Sequence, residues 1–318
     1  MTEPAPVIVT PLRGGMTEPV PVIVNAAAGT KPRGDEISAA FEAVGASAHI
    51  LLIREPQDVA RLVQAALAGK PRCIAAAGGD GTINAVASQL VGSGVALGVL
   101  PLGTLNHFAR DAGIPLDLAG AAQNIVAGRI VEVDVGRVNE HYFLNNSSLG
   151  LYPRMVRMRE RQQHRSGIGK WPALLWAGYM VLKRYAFVHV DMQANGEHIN
   201  CRTPLVFIGN NPYVIQGLDI GHRTELQTGA LAVYITRGLD RWGLFKLAFR
   251  ALVRTSGSPT GLDMFATRKL SISTRRGRLL VSVDGEVRMM NAPLEYSIEP
   301  RSLRVIVPVD ALAAPPAH

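Results

Sequence analysis

The chain has 318 residues, 47% of them hydrophobic and 18% charged, a globular composition long enough for two domains. A net charge of +8 suits nucleic acid, anionic lipid or phosphorylated ligands. Only Cys73 and Cys201 are present, which suits neither a disulfide scaffold nor a zinc cluster and fits a reducing, cytoplasmic compartment.

The opening MTEPAPVIV recurs as MTEPVPVIV from Met16. Only the second copy leads into a strand-and-loop pattern, so the fold is expected to start at Met16, with residues 1–15 a disordered extension. The first copy carries an acidic residue and two prolines where a secretory signal needs basic and apolar segments. The most apolar helical candidate, Trp171 to Leu182, is about half the ~20 residues that a membrane-spanning helix requires. A soluble protein, or one held at a membrane surface, is expected.

Over residues 16–146, strand and helix patterns alternate. PVIVN reads as a buried strand. A helix capped by Asp35 follows, with Ile37, Phe41 and Val44 on one face and Gly45 at its end. AHILLI reads as a strand, and a helix from about Gln57 carries the stripe Val59, Leu62, Val63, Ala66 and Leu67. CIAAA and VALGVL complete an α/β pattern with a largely parallel sheet. Residues 147–318 read as an antiparallel, β-rich domain. Asn195-Gly196 marks a hairpin between VHVDMQA and EHINCR. LVFIGN, ALAVYIT, KLSIST, RLLVSV, LEYSIE and LRVIV read as further strands, with a helix candidate at Arg241 to Arg254.

Three strings carry chemistry. Gly78-Gly79-Asp80-Gly81-Thr82, followed by Ile83-Asn84, joins an apolar strand to a helix. Glycines there let the backbone approach a phosphate, and a helix N-terminus turns amide donors toward an anion. Asp80 adds a carboxylate suited to holding Mg²⁺ directly or through water. A P-loop is absent, since Gly169-Lys170 is followed by Trp171, and no G-x-G-x-x-G follows the first strand. The string PLGTLNHFAR at 101–110 also follows a strand and opens a helix, bringing Thr104 and Asn106 to the same sheet edge; alone, it could be a capped helix start. Val283-Asp284-Gly285-Glu286 is a third candidate, although Asp-Gly is also a common hairpin turn.

Together these strings resemble the diacylglycerol kinase catalytic-domain family, which includes soluble bacterial lipid kinases, sphingosine kinases and ceramide kinases. The resemblance covers about residues 18 to 308. It extends to the loop Asn25-Ala26-Ala27-Ala28-Gly29, where Ala26 stands for the family's proline. GGDGT is shared with NAD kinases; the 101–110 string separates the lipid kinases from them. The resemblance implies an NAD kinase-like nucleotide-binding α/β domain, a β-sandwich-like second domain and a cleft between them. It implies that Asn25, Gly29, Gly78, Gly79, Asp80, Gly81, Thr82, Ile83, Asn84 and Thr104 line an ATP site. It also implies that Asp80 holds Mg²⁺ and that Glu286 is the general base, with Asp284 close by. In GLDIGHRTELQTGALAVYI, Thr228 stands where the family often has an aspartate that helps hold a structural Mg²⁺.

Arg154, Arg157, Arg159, Arg161, Arg165 and Lys170 flank the Trp-containing apolar run, a pattern that suits an anionic membrane surface at the inner face as well as a solvated basic face. The resemblance implies diacylglycerol or a related lipid alcohol as the acceptor; no zinc-finger spacing or aromatic RNA-binding signature occurs, so no nucleic acid is expected. Oligomeric partners are not legible. A kinase of NAD or another soluble metabolite, or a catalytically silent nucleotide- or lipid-binding regulator, are the alternative readings.

Overall fold

The computed structural model describes residues 10–11, 18–25, 34–150, 187–213, 215–216, 219–220, 223, 225–236, 262–274 and 277–311. They form two compact units, the first from Met1–Val135, His222–Gly229 and Glu299–His318, the second from Gly136–Gly221 and Ala230–Ile298. The sequence suggests a single boundary near Asn146. Instead, two later segments return to the first unit.

The first unit holds β1 (Thr10–Pro11), β2 (Val20–Asn25), α1 (Gly34–Ala43), β3 (Ala48–Ile53), α2 (Asp58–Ala68), β4 (Cys73–Gly78), α3 (Asp80–Leu90), β5 (Ala96–Pro101), α4 (His107–Asp111), α5 (Leu118–Ala127) and most of β6 (Arg129–Val138). β3, β2, β4 and β5 pair in that order, all parallel. β4 and β5 are buried along their whole length, which is why they read as continuous apolar runs and not as alternating ones. Successive residues face opposite sides. Val22, Ala75 and Leu100 pack with Ile37 and Phe41 of α1 and Ala121, Ala122 and Ile125 of α5, while α2 and α3 contact each other and the sheet through Val59, Leu62, Val63, Ile83 and Val86. Asp35 lies inside the first turn of α1, not ahead of it, where its charge suits the positive end of the helix. Gly45, at φ +75°, ends that helix as expected.

Thr10–Pro11 pairs antiparallel with Ile130 and Arg129 of β6. At those two residues the segment expected to be disordered is a strand; the apolar residues of the repeat gave no sign of this register.

The second unit adds β7 (His141–Phe143), β8 (Asn146–Gly150), β9 (Val188–Ala194), β10 (Glu197–Thr203), β11 (Leu205–Asn210), β12 (Ile215–Gln216), β13 (Asp219–Ile220), β14 (Leu231–Thr236), β15 (Leu262–Thr267), β16 (Lys269–Thr274), β17 (Arg278–Val283), β18 (Glu286–Asn291) and the first part of β19 (Leu294–Val307). One antiparallel sheet runs β15-β14-β11-β8-β17-β18. A second antiparallel layer runs β10-β9-β16-β19. Val206, Ile208, Val233, Ile235 and Val281 from the first meet Val190, Met192, Leu270, Ile272 and Tyr296 from the second in one core, a sandwich arrangement. Asn195 and Gly196 take φ of 52° and 79°, as a tight hairpin demands.

LEYSIE and LRVIV are not two strands but one, β19. Pro300-Arg301 suggests a break. The strand continues because Arg301 takes φ +50° and donates its N–H to buried Asp134 at 2.9 Å. The helix candidate at Arg241 to Arg254 lies outside the described residues.

Candidate active site

The glycine-rich string sits where the sequence puts it. β4 ends at Gly78, Gly79 caps α3, and Asp80, Gly81 and Thr82 form its first turn. The amide of Ile83 closes the first helical bond, to Gly79 O at 3.0 Å. No side chain caps α3, so the earlier amides have no side-chain acceptor from the cap residue. Ile83 is wholly buried and its N–H is used by the helix, so its part is structural.

The glycines have different reasons to be glycine. A Cβ on Gly78 would lie 2.7 Å from the Thr82 side chain, and one on Gly103 would lie 2.6 Å from the Gly79 Cα. Both are demanded by close packing. Gly79 is different. Its φ of −84° suits any residue, and an added Cβ would meet only the Gly103 Cα, at an ordinary 3.5 Å. Neither strain nor crowding among the described residues requires glycine there.

The second turn is folded onto the first. Leu102 N–H donates to Gly78 O at 2.9 Å. Asn106, buried at φ +51°, accepts from Gly103 N–H at 3.0 Å and donates to Gly103 O at 2.9 Å. Asn106 therefore shapes the 101–106 turn from within, which leaves exposed Thr104 as that turn's outward polar group. Asn25 Nδ2 donates to Thr82 Oγ1 at 3.3 Å, joining the end of β2 to α3. Asp80 Oδ1 accepts from Phe108 N–H at 3.4 Å, tying the carboxylate to the start of α4. Asn84 follows on the part-buried face of α3. Asn25, Gly78, Gly79, Asp80, Thr82 and Thr104 are thus carried by neighbouring strand ends of one sheet. Gly29 lies outside the described residues.

Within the second unit, Asp284 (φ +46°) and Gly285 (φ +86°) form a two-residue hairpin between β17 and β18. The Asp284 carboxylate accepts from Leu144 N–H at 2.7 Å and from Asn145 and Asn146 N–H at 2.9 Å. Three amides around one carboxylate make it an anchor for the start of β8. Glu286 is its opposite, half exposed, with Oε2 2.8 Å from the Arg288 guanidinium. His141 feels both of these charges. Burial holds its imidazole below the ordinary range, assisted by Arg288 and opposed by Glu140 and Glu286, so it is neutral near pH 7. His141 and Arg288 escape a reading by motif, because strand pairing and not spacing brings them to this corner.

A profile described as diacylglycerol kinase catalytic domain matches residues 19–138. A second, described as the YegS C-terminal NAD kinase beta sandwich-like domain, matches residues 157–307. Residues 19–138 belong to the diacylglycerol kinase catalytic-domain family. Its similar relatives include a protein named "Probable lipid kinase YegS-like" of Klebsiella pneumoniae (strain 342), 28% identical over 84% of this chain and 88% of the relative. One of the same name in Yersinia enterocolitica is 42% identical, over 35% of this chain and 40% of the relative. Among solved structures, a diacylglycerol kinase of Bacillus anthracis str. Sterne shares the fold with a TM-score of 0.65, at 20% identity over 91% of this chain and 97% of that one.

The family implies ATP and Mg²⁺, and the turn fits them. Uncapped first-turn amides and a glycine at Gly79 suit phosphate oxygens, and Asp80 is the acid beside them. Among the described residues no group of three His, Cys, Asp or Glu side chains gathers into a metal cage. Asp80 suits an ion carried in by the phosphates.

Proposed function

We propose that the chain is an ATP-dependent lipid kinase that moves the γ-phosphoryl group onto the hydroxyl of diacylglycerol or a related lipid alcohol. The observation that carries this reading is Gly79, a glycine at an uncapped helix start that nothing among the described residues demands. Close approach of a phosphate supplies the missing reason. The names of the curated relatives support a lipid acceptor.

Asp80 would hold the nucleotide's Mg²⁺, which neutralises charge as the phosphoryl group moves. The amides of Asp80, Gly81 and Thr82 orient the phosphates, and Asn25 fixes Thr82 beside them. Glu286 takes the proton of the lipid hydroxyl. The lipid hydroxyl oxygen then forms the new bond to phosphorus as the bond to ADP breaks. Among the described residues no helix is long and apolar enough to cross a membrane. Peripheral binding at the anionic inner face belongs to the same proposal. The basic run from Arg154 to Lys170 that motivates it lies outside the described residues.

The test is phosphoryl transfer from labelled ATP to diacylglycerol and a sphingoid base in mixed micelles, and to NAD in solution. Label in a lipid product is expected. Label in NAD alone would replace this reading with that of a soluble-metabolite kinase. In the same assay, Asp80→Asn keeps the side chain's shape but weakens its hold on the ion. It is expected to lose most of the turnover with the fold intact; full activity would remove Asp80 from the site.

A further inference from the structure

The family resemblance places an aspartate before Gly229 to help hold a structural Mg²⁺, and this chain has Thr228 there. The surrounding residues do not fit such an ion. Asp134, the buried acid that meets the segment, has both oxygens engaged by backbone. Oδ2 accepts from Gly229 N–H at 2.7 Å and Oδ1 from Arg301 N–H at 2.9 Å. Its own N–H donates to Leu226 O at 2.9 Å. No group of three metal-ligating side chains occurs among the described residues.

A different charge is present at the segment's other end. The side chain of Arg223 is 0% exposed and that of Asp111 6%. Arg223 Nε donates to Asp111 Oδ2 at 2.7 Å, and its backbone N–H to Oδ1 at 3.3 Å. A buried carboxylate must be compensated by a cation or by several donors. Here a guanidinium compensates Asp111 and amides compensate Asp134. Asp111 and Asp134, the buried acids described at this segment, are therefore already satisfied by the chain itself.

We infer that Arg223 and residues 225–229 are fastened by protein charge, with Arg223 as a built-in cation and Asp134 as the second clasp, so that Mg²⁺ serves the nucleotide alone. Arg223 is also a positioning residue. Asp111 is the last residue of α4, and the second residue of that helix, Phe108, donates to Asp80. Fixing one end of a five-residue helix fixes the other. This positioning role and the nucleotide's claim on Mg²⁺ rest on the proposed nucleotide site; the fastening does not.

The test uses the full chain without nucleotide or lipid, so its outcome is separate from that of the kinase assay. Thermal unfolding is followed in excess EDTA and across a MgCl₂ titration. The same Tm in both is expected. A saturable rise of Tm with Mg²⁺ would mean that the folded chain binds the ion and would overturn the inference. Arg223→Met is expected to lower Tm by several degrees, because Asp111 is left buried without a cation. Arg223→Lys should recover part of that loss. If Arg223→Met does not fold, Arg223→Met combined with Asp111→Asn removes both charges and should fold with a higher Tm than the single variant. A single variant with unchanged Tm would exclude Arg223 as the fastener. For the positioning role, which acts through Asp80, Arg223→Lys should lower kcat with KM for ATP nearly unchanged; an unchanged kcat would remove that role.

Discussion

Glu286→Gln is expected to lower kcat by a factor of ~10² to 10⁴ while leaving ATP affinity and melting temperature in place. A lipid hydroxyl is a poor nucleophile until its proton has an acceptor, and the amide of glutamine cannot supply one. The fold should not notice the change. Glu286 is half exposed, and its pair with Arg288 is of the solvated kind that contributes ~0–1 kcal/mol. Asp284→Asn should behave differently. Its carboxylate accepts three backbone amides at 2.7–2.9 Å, and an asparagine NH₂ would face a donor with another donor. A fall in Tm is expected along with lost activity. Stopped kinetics on both variants, each with a thermal melt, checks this. Full kcat in Glu286→Gln would remove Glu286 as the base. An unchanged melt in Asp284→Asn would mean that the anchor described here does not hold the start of β8.

Gly103→Val is expected to weaken ATP binding by at least about tenfold and to lower Tm. Its Cβ would be placed 2.6 Å from the Gly79 Cα and 2.8 Å from Asn106 Oδ1. Neither neighbour can yield cheaply, since one is backbone and the other holds the 101–106 turn together. Overpacking of this kind costs ~1–3 kcal/mol. Gly79→Ala is the informative partner, because its methyl group meets nothing closer than 3.5 Å. It should keep the Tm and lose ATP affinity, measured by calorimetry or nucleotide-dependent thermal shift. If Gly79→Ala binds ATP as the parent does, the phosphate does not approach at that residue.

The parts of the site that could be read in advance are those whose meaning is local. GGDGT states its structure within five residues, an apolar strand before it and a helical stripe after it, and the structure places that strand–turn–helix where expected. Asn195-Gly196 states a hairpin in the same way. Roles set by distant partners were not legible. Nothing near Asp134 signals that it will accept from Gly229 and Arg301, and nothing near Asp111 signals Arg223. Asp284 was grouped with Glu286 by adjacency in sequence. Strand alternation and a left-handed turn send the two carboxylates to different surroundings, one among amides and one toward solvent. β18 is not marked in the sequence, because EVRMMN is largely exposed and carries no apolar alternation strong enough to show it.

β19 has a consequence for how the protein is made. Val305 pairs in parallel with Leu97 of β5, and Ile306 O accepts from the buried Asn124 side chain, 182 positions earlier in the sequence. Arg129 likewise donates to Val309 O at 3.0 Å. A nascent chain that has already released every residue of GGDGT and PLGTLN from the ribosome still lacks the strand that borders β5. Until that strand arrives, β5 presents a row of unpaired amides and carbonyls along an apolar edge, and Asn124 lacks a buried acceptor. At ~5–20 residues per second of synthesis, this exposure lasts on the order of ten seconds or more. The first unit, although first in sequence, therefore completes its sheet late in translation.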